Sequence, residues 1–123
     1  AVADFTPASV ADNKIKREGN KLMLELTPTK DIAKALGQMK KQNQVMVGFA
    51  LETNDEENHA KEKLQKKNLD FIVLNSLQDE GAGFQHNTNK VTFIDKDGKT
   101  RFPLKSKRDV AKDIVNKLVS IIK

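Results

Sequence analysis

Lys63 and Lys67 stand four residues apart, so on a helix they share one face. Two ammonium groups there repel each other unless an anion lies between them, although lysine-rich solvated faces are ordinary. Lys61 and Lys66 beside them weaken the contrast. A second basic group, Lys14-Ile15-Lys16-Arg17, lies in a polar stretch with no clear period. A lysine closing over a triphosphate would contribute roughly 1.5–3 kcal/mol per charge-assisted contact; the plain alternative is a solvated charge run. Asp4 ends the first apolar segment. Its carboxylate could meet a metal or a ribose hydroxyl, or simply cap a turn before Pro7. Lys30-Asp31-Ile32-Ala33 follow Pro28-Thr29 as the expected first turn of a helix. Free N–H groups there suit an anion or a base edge, although most helix starts hold only a cap. Phe49 follows Gly48 at an expected strand end, where it could stack on a base or serve a core that has only six phenylalanines.

Other chemistries find no support. There is no cysteine, hence no disulfide and no thiolate nucleophile or metal site, which fits a reducing cytoplasm. His59 and His86 have no zinc-type spacing and no visible partner. No Gly-x-Ser-x-Gly, Walker or Gly-x-Gly-x-x-Gly segment occurs, and Gly81-Ala82-Gly83-Phe84 reads only as a turn. Nucleic acid is disfavoured, because there is no Tyr or Trp to stack on bases. No apolar run approaches the roughly 20 residues that cross a membrane. The formal net charge is +5, an excess that favours anionic partners without selecting one.

The elements must position these groups. Length argues for one domain over residues 1–123. Ala1 to Phe5 reads as a strand end broken by Thr6-Pro7. The absence of a polar lead-in suggests a start inside a buried segment, with the N-terminal portion of the fold missing. Lys21 to Leu26 alternates as a strand and Pro28 stops it. Thr29 is the expected N-cap of a helix carrying Ile32, Ala35, Leu36 and Met39 on one face. Gln44 to Ala50 is an apolar run, as for a strand buried on both faces. An acidic loop over 52–57 precedes a helix over Asn58–Asn68, with Ala60 and Leu64 inward. Leu69 to Leu74 is a further buried strand. Helix, strand, helix, strand implies a parallel α/β unit. Its ligand edge would comprise Asp4, the residues from Phe49 to Glu52, and Asn75-Ser76. A loop over 75–89 leads to a hairpin, Lys90–Ile94 and Lys99–Leu104, around Asp95-Lys96-Asp97-Gly98. Ser106 and Asp109 resemble a capping box before a last helix with Val110, Ile114, Leu118 and Ile121 on one face.

Taken in order, Ala-Val-Ala-Asp-Phe, Lys-Ile-Lys-Arg, Lys-Asp-Ile-Ala, Val-Gly-Phe-Ala-Leu-Glu-Thr-Asn, Lys-Lys-Asn-Leu-Asp and Asn-Ser resemble phosphopantothenoylcysteine synthetase (phosphopantothenate–cysteine ligase). In bacteria this is usually the C-terminal half of the bifunctional CoaBC protein of coenzyme A biosynthesis. The similarity runs over essentially the whole chain. It implies a Rossmann-like, mostly parallel α/β sheet with flanking helices, plus the C-terminal hairpin and helix. It also implies a cytoplasmic homodimer that uses CTP as substrate with Mg2+. The loop over 75–89 and the hairpin are candidates for the dimer contact. The carboxylate of 4'-phosphopantothenate would attack the α-phosphate of CTP, giving an acyl-cytidylate and pyrophosphate. The cysteine amine would then displace CMP.

By the same resemblance Asp4, Lys14, Phe49, Lys63 and Lys67 are nucleotide-binding, with Lys14 the first lysine of the family's Lys-x-Lys motif and the expected catalytic group. Lys30, Asp31, Ile32 and Ala33 match the nucleotide-contacting helix start. The family often has Pro where Lys30 stands, a change that backbone contacts would survive. The family's glycine-containing phosphate segment and its intermediate-handling asparagine match nothing in this chain, so the chain alone is expected to be inactive as a ligase. A fused flavin-dependent decarboxylase is a further implication. The competing reading is a non-catalytic basic α/β domain that binds an anionic partner.

Overall fold

The computed structural model describes residues 2–17, 19–52, 54–76 and 86–122, with the backbone alone at Ser76. The chain forms two compact units, residues 1–32 and 33–123.

In the first unit β1 (Phe5–Pro7) pairs antiparallel with β2 (Leu26–Pro28), with Thr6 opposite Thr27. This differs from the expected strands. Thr6-Pro7 lies inside β1 and Pro28 inside β2, because a two-stranded ribbon consists only of edges and tolerates proline. Lys21 to Glu25 lie outside the strand despite their alternation, and Leu22, Met23 and Leu24 are exposed. Val2 and Phe5 are exposed as well, so the opening segment is not buried. Thr29 is not a helix cap. Its hydroxyl donates to the Ala3 carbonyl at 2.6 Å and its N–H to the Asp4 carbonyl at 2.9 Å, closing the ribbon instead.

Helix α1 (Ile32–Met39) therefore starts three residues beyond Thr29. Its expected apolar face is open: Ile32, Leu36 and Met39 are exposed, and only Gly37 is buried. Gly37 is the point of closest approach. A Cβ there would stand 2.0 Å from the Lys67 carbonyl oxygen.

The second unit is built on β3 (Val47–Glu52), α2 (Glu56–Lys66) and β4 (Phe71–Ser76). β3 and β4 are parallel, as the alternation of helix and strand implies, with Glu52 opposite Ser76. β6 (Val91–Asp95) and β7 (Gly98–Arg101) form the expected hairpin, closed by Asp95 opposite Gly98. The hairpin joins the same sheet antiparallel to β4, giving the order β3-β4-β6-β7. The class is α/β and Rossmann-like, and the described sheet is mixed because of that junction. A short pair, β5 (Thr88–Asn89) with β8 (Lys105–Ser106), leads into α3 (Lys107–Ile121). Residues 77–85 of the expected loop, including the Gly81-Ala82-Gly83 turn, lie outside the described residues.

Strand alternation sends successive side chains of β4 to opposite faces. Ile72 and Leu74 meet Ala60 and Leu64 of α2 together with Ala50 and Ile94. Phe71 and Val73 meet Val91, Phe93 and Val110, with Ile114 and Ile121 of α3 packed against them. Burying each large side chain stabilises by roughly 1.5–3 kcal/mol, so β4 anchors both layers. The cap of α3 forms as expected, with Ser106 Oγ accepting from the Asp109 N–H at 3.1 Å. Asp70 ties the sheet's lower end: it accepts from the Met46 N–H at 2.6 Å and from Lys40 Nζ at 3.0 Å. No helix among the described residues is long and apolar enough to cross a membrane.

Candidate functional site

In open α/β sheets ligands bind at the carboxyl ends of the parallel strands. Here those ends are Glu52 and Asn75-Ser76. Asn75 Nδ2 donates to the Ala50 carbonyl at 3.3 Å, and Asn75 Oδ1 accepts from Asn89 Nδ2 at 2.5 Å. Asn75 thus clamps β3, β4 and the strand pair below α3 at this end.

Glu52 closes β3 with a carboxylate only 14% exposed. Lys63 Nζ donates to its Oε1, and His59 Nδ1 stands 3.6 Å from its Oε2. The reason is local. α2 runs back along the sheet from the end of β3, and helical side chains lean toward the N-terminus. Lys63 therefore reaches up to the strand end. His59 lies one turn earlier on the same stripe and acquires the partner that its sequence surroundings did not reveal. Glu52 had been expected at the ligand edge without a role. The useful signal is a carboxylate at a strand end followed by His59 and Lys63 four apart on the next helix.

Lys67 lies one turn farther from that edge, about 6 Å along the axis. It is the C-cap of α2, donating its N–H to Lys63, and its carbonyl backs onto Gly37. Lys63 and Lys67 thus share a stripe but serve different places.

Phe49 is 66% exposed. β3 is an edge strand of the described sheet, and the apolar run over 44–50 is not buried on both faces as expected. Alternation places Phe49 with Val47 on the α3 face, and Glu52 with Ala50 on the α2 face. The ring is open to stack, on the side of β3 opposite Lys63.

The remaining expected residues divide between the units. Asp4 precedes β1 rather than following a strand, and its carbonyl is taken by Thr29. Lys14 is exposed in irregular chain. Its neighbours Lys16 and Arg17, with Lys21, line a cavity of about 470 Å³ in the first unit. Lys30 and Asp31 precede α1, so only Ile32 and Ala33 of the expected quartet present helix N–H groups.

Other charge in this unit is paired structurally. Glu57 accepts from Lys99 Nζ at 2.6 and 2.8 Å and from Arg101 at 2.8 Å. Lys99 first, then Arg101, lower its pKa to about 2. A cavity at the opposite end is lined by Asp70 and Asp95, which are already engaged by Lys40 and Lys117. Among the described residues no three His, Cys, Asp or Glu converge as a metal cage.

A sheet with a parallel pair, a helix on each face and a lysine presented at the carboxyl end of the pair defines a Rossmann-like α/β domain. The chain belongs to the family described as DNA/pantothenate metabolism flavoprotein C-terminal domain, which matches residues 1–122. It is 55% identical over 123 residues to a cysteine/cysteine sulfinic acid decarboxylase of an unknown prokaryotic organism, covering 99% of this chain and 34% of that protein. It is 48% identical over 124 residues to the coenzyme A biosynthesis bifunctional protein CoaBC of Bacillus subtilis, covering all of this chain and 30% of that protein. A crystal structure of the C-terminal domain of CoaBC superimposes with a TM-score of 0.70 at 36% identity, covering 95% of this chain and 48% of that one. The resemblance to the CoaB part of bacterial CoaBC therefore holds in sequence and in fold. The chain spans about a third of the length of these curated relatives.

Proposed function

We propose that the chain is part of a ligase of coenzyme A biosynthesis that joins 4'-phosphopantothenate to cysteine at the expense of CTP. The observation that carries this reading is Lys63, presented by Glu52 at the carboxyl end of β3, in a chain so similar to CoaBC. The substrate carboxylate attacks the α-phosphate and pyrophosphate leaves. The cysteine amine then attacks the acyl carbon of the cytidylate, forming the amide and releasing CMP. Lys14 would stabilise charge that shifts to the leaving pyrophosphate, while Lys63 and Lys67 would bind the phosphates. Asp4, the N–H groups near Lys30 to Ala33, and Phe49 would hold the nucleoside. Mg2+ would arrive on the triphosphate, in keeping with its preference for phosphate oxygens and water over a protein cage. The length of the relatives leaves room for a fused flavin-dependent decarboxylase, and a homodimer in the cytoplasm completes the proposal.

The test is pyrophosphate release by the complete protein with 4'-phosphopantothenate and cysteine, comparing CTP, ATP and GTP. CTP is expected to be used best. Lys14→Ala should lower kcat/KM about 10- to 100-fold, the loss of one charge-assisted contact, with an unchanged melting temperature. The isolated chain should release none. Turnover unaffected by Lys14→Ala removes Lys14 from the mechanism. No nucleotide-dependent turnover by the complete protein favours the anion-binding module instead.

A further inference from the structure

We infer that Glu52 is a positioning residue for Lys63: its carboxylate sets the ammonium at the end of β3, where it meets a phosphate of the bound nucleotide. This rests on the ligase reading above. A lysine is a compact charge on a flexible four-carbon stem, and without a tether it samples many rotamers. Glu52 selects one. The carboxylate is fixed by the last residue of β3 and is only 14% exposed, whereas Lys63 is 41% exposed and so stays accessible to a ligand.

A carboxylate beside a phosphate site would be self-defeating if it consumed the lysine. The geometry avoids that. An ammonium has three N–H donors, and one bond to Glu52 Oε1 leaves two for phosphate oxygens. The other carboxylate oxygen faces His59 Nδ1 at 3.6 Å. Glu52 is thus bonded through Oε1 and directed toward α2, while Lys63 remains a donor.

The complete protein carrying Glu52→Gln, Glu52→Asp, Lys63→Met or Glu52→Gln with Lys63→Met tests this, with CTP kinetics and thermal melting on each. Glu52→Gln should raise KM for CTP about tenfold with kcat within about twofold, and Glu52→Asp should recover part of that loss. The double variant should match Lys63→Met alone, because a tether has no effect once the tethered group is gone. A KM that is unchanged or lower in Glu52→Gln overturns the proposal, and so do independent, multiplying effects in the double variant. If Lys63→Met leaves KM unmoved, the assignment of Lys63 fails and Glu52 with it. Wild-type protein without CTP-dependent turnover sinks the ligase reading together with this proposal. CTP turnover with a wild-type KM in Glu52→Gln sinks the proposal alone.

Discussion

Replacing Gly37 by alanine should loosen α1, against the ordinary rule that alanine strengthens a helix. Helix propensity alone favours the substitution by about 1 kcal/mol. The new Cβ, however, would lie 2.0 Å from the Lys67 carbonyl oxygen and 2.7 Å from its carbon. Contacts under 3.0 Å essentially never occur, so α1 must retreat by about 1 Å from a backbone that cannot swing aside. That retreat stretches the bond from Asn68 Nδ2 to the Gly37 carbonyl from 2.8 Å to beyond hydrogen-bonding reach. Overpacking costs about 1–3 kcal/mol and the lost bond about 1, so the net loss is about 1–3 kcal/mol. α1 has little else to hold it, since its eight residues are too few to be helical alone and its large apolar side chains are exposed. The damage should therefore be local. Native-state hydrogen exchange reads it directly: amide protection over Leu36 to Met39 should fall about 5- to 150-fold while β4 keeps its protection. Protection of α1 that is unchanged or higher in Gly37→Ala would refute the close approach.

Two further predictions concern the unit's ion pairs and caps. Lys99 and Arg101 depress Glu57 from 4.5 to about 2, so its contribution to stability is complete above pH 4.5 and is lost as pH falls toward 2. The side chain is one-third exposed, so Glu57→Gln should cost only about 1 kcal/mol at pH 7 after solvent screening. Urea titrations should show that gap closing between pH 4.5 and 2, and a gap that does not vary with pH contradicts the ion-pair account. Ser106→Ala removes the acceptor of the Asp109 N–H and should cost about 1 kcal/mol, with Ser106→Asn recovering most of it in thermal melts.

The legible parts of the sequence were those whose signal is local. Asp95 and Gly98 specify a two-residue turn by themselves: Asp95 Oδ1 accepts from the N–H groups of Asp97 and Gly98, and Gly98 has a φ of 149°. Ser106 with Asp109, and Ala60 with Leu64, likewise act within one turn of helix. The illegible parts depended on neighbours. Val47 to Leu51 is as apolar as β4, and nothing within the run says that one strand is central and the other an edge. The alternation of Lys21 to Leu26 is a strand signal without a partner. Thr29 has every property of an N-cap, but its N–H and hydroxyl tie it to the Asp4 and Ala3 carbonyls of the ribbon and α1 begins only at Ile32. Lys63 was legible only as a residue type on a helix, while the carboxylate it meets comes from a different element and reads in the sequence only as a strand end.

That organisation constrains how any one ligand can use the site. Phe49 and Glu52 are three residues apart on a strand, an odd interval, so their side chains leave opposite faces about 10 Å apart along the chain. Lys63 follows Glu52 on the α2 face. A base stacked on Phe49 and a phosphate bound by Lys63 cannot therefore belong to a molecule lying flat on either face. It must lie against the end or the side of β3, with the backbone from Phe49 to Glu52 between its two ends. The strand is small on its α2 face, at Gly48 where Leu69 approaches and at Ala50 where Ala60 and Leu64 pack, and bulky on the other at Phe49 and Leu51. Such a position of the ligand gives Glu52 its place. The carboxylate stands where the strand turns toward α2, so it can hold the cation at that corner, whereas a lysine on the strand itself would point its charge into one layer or the other.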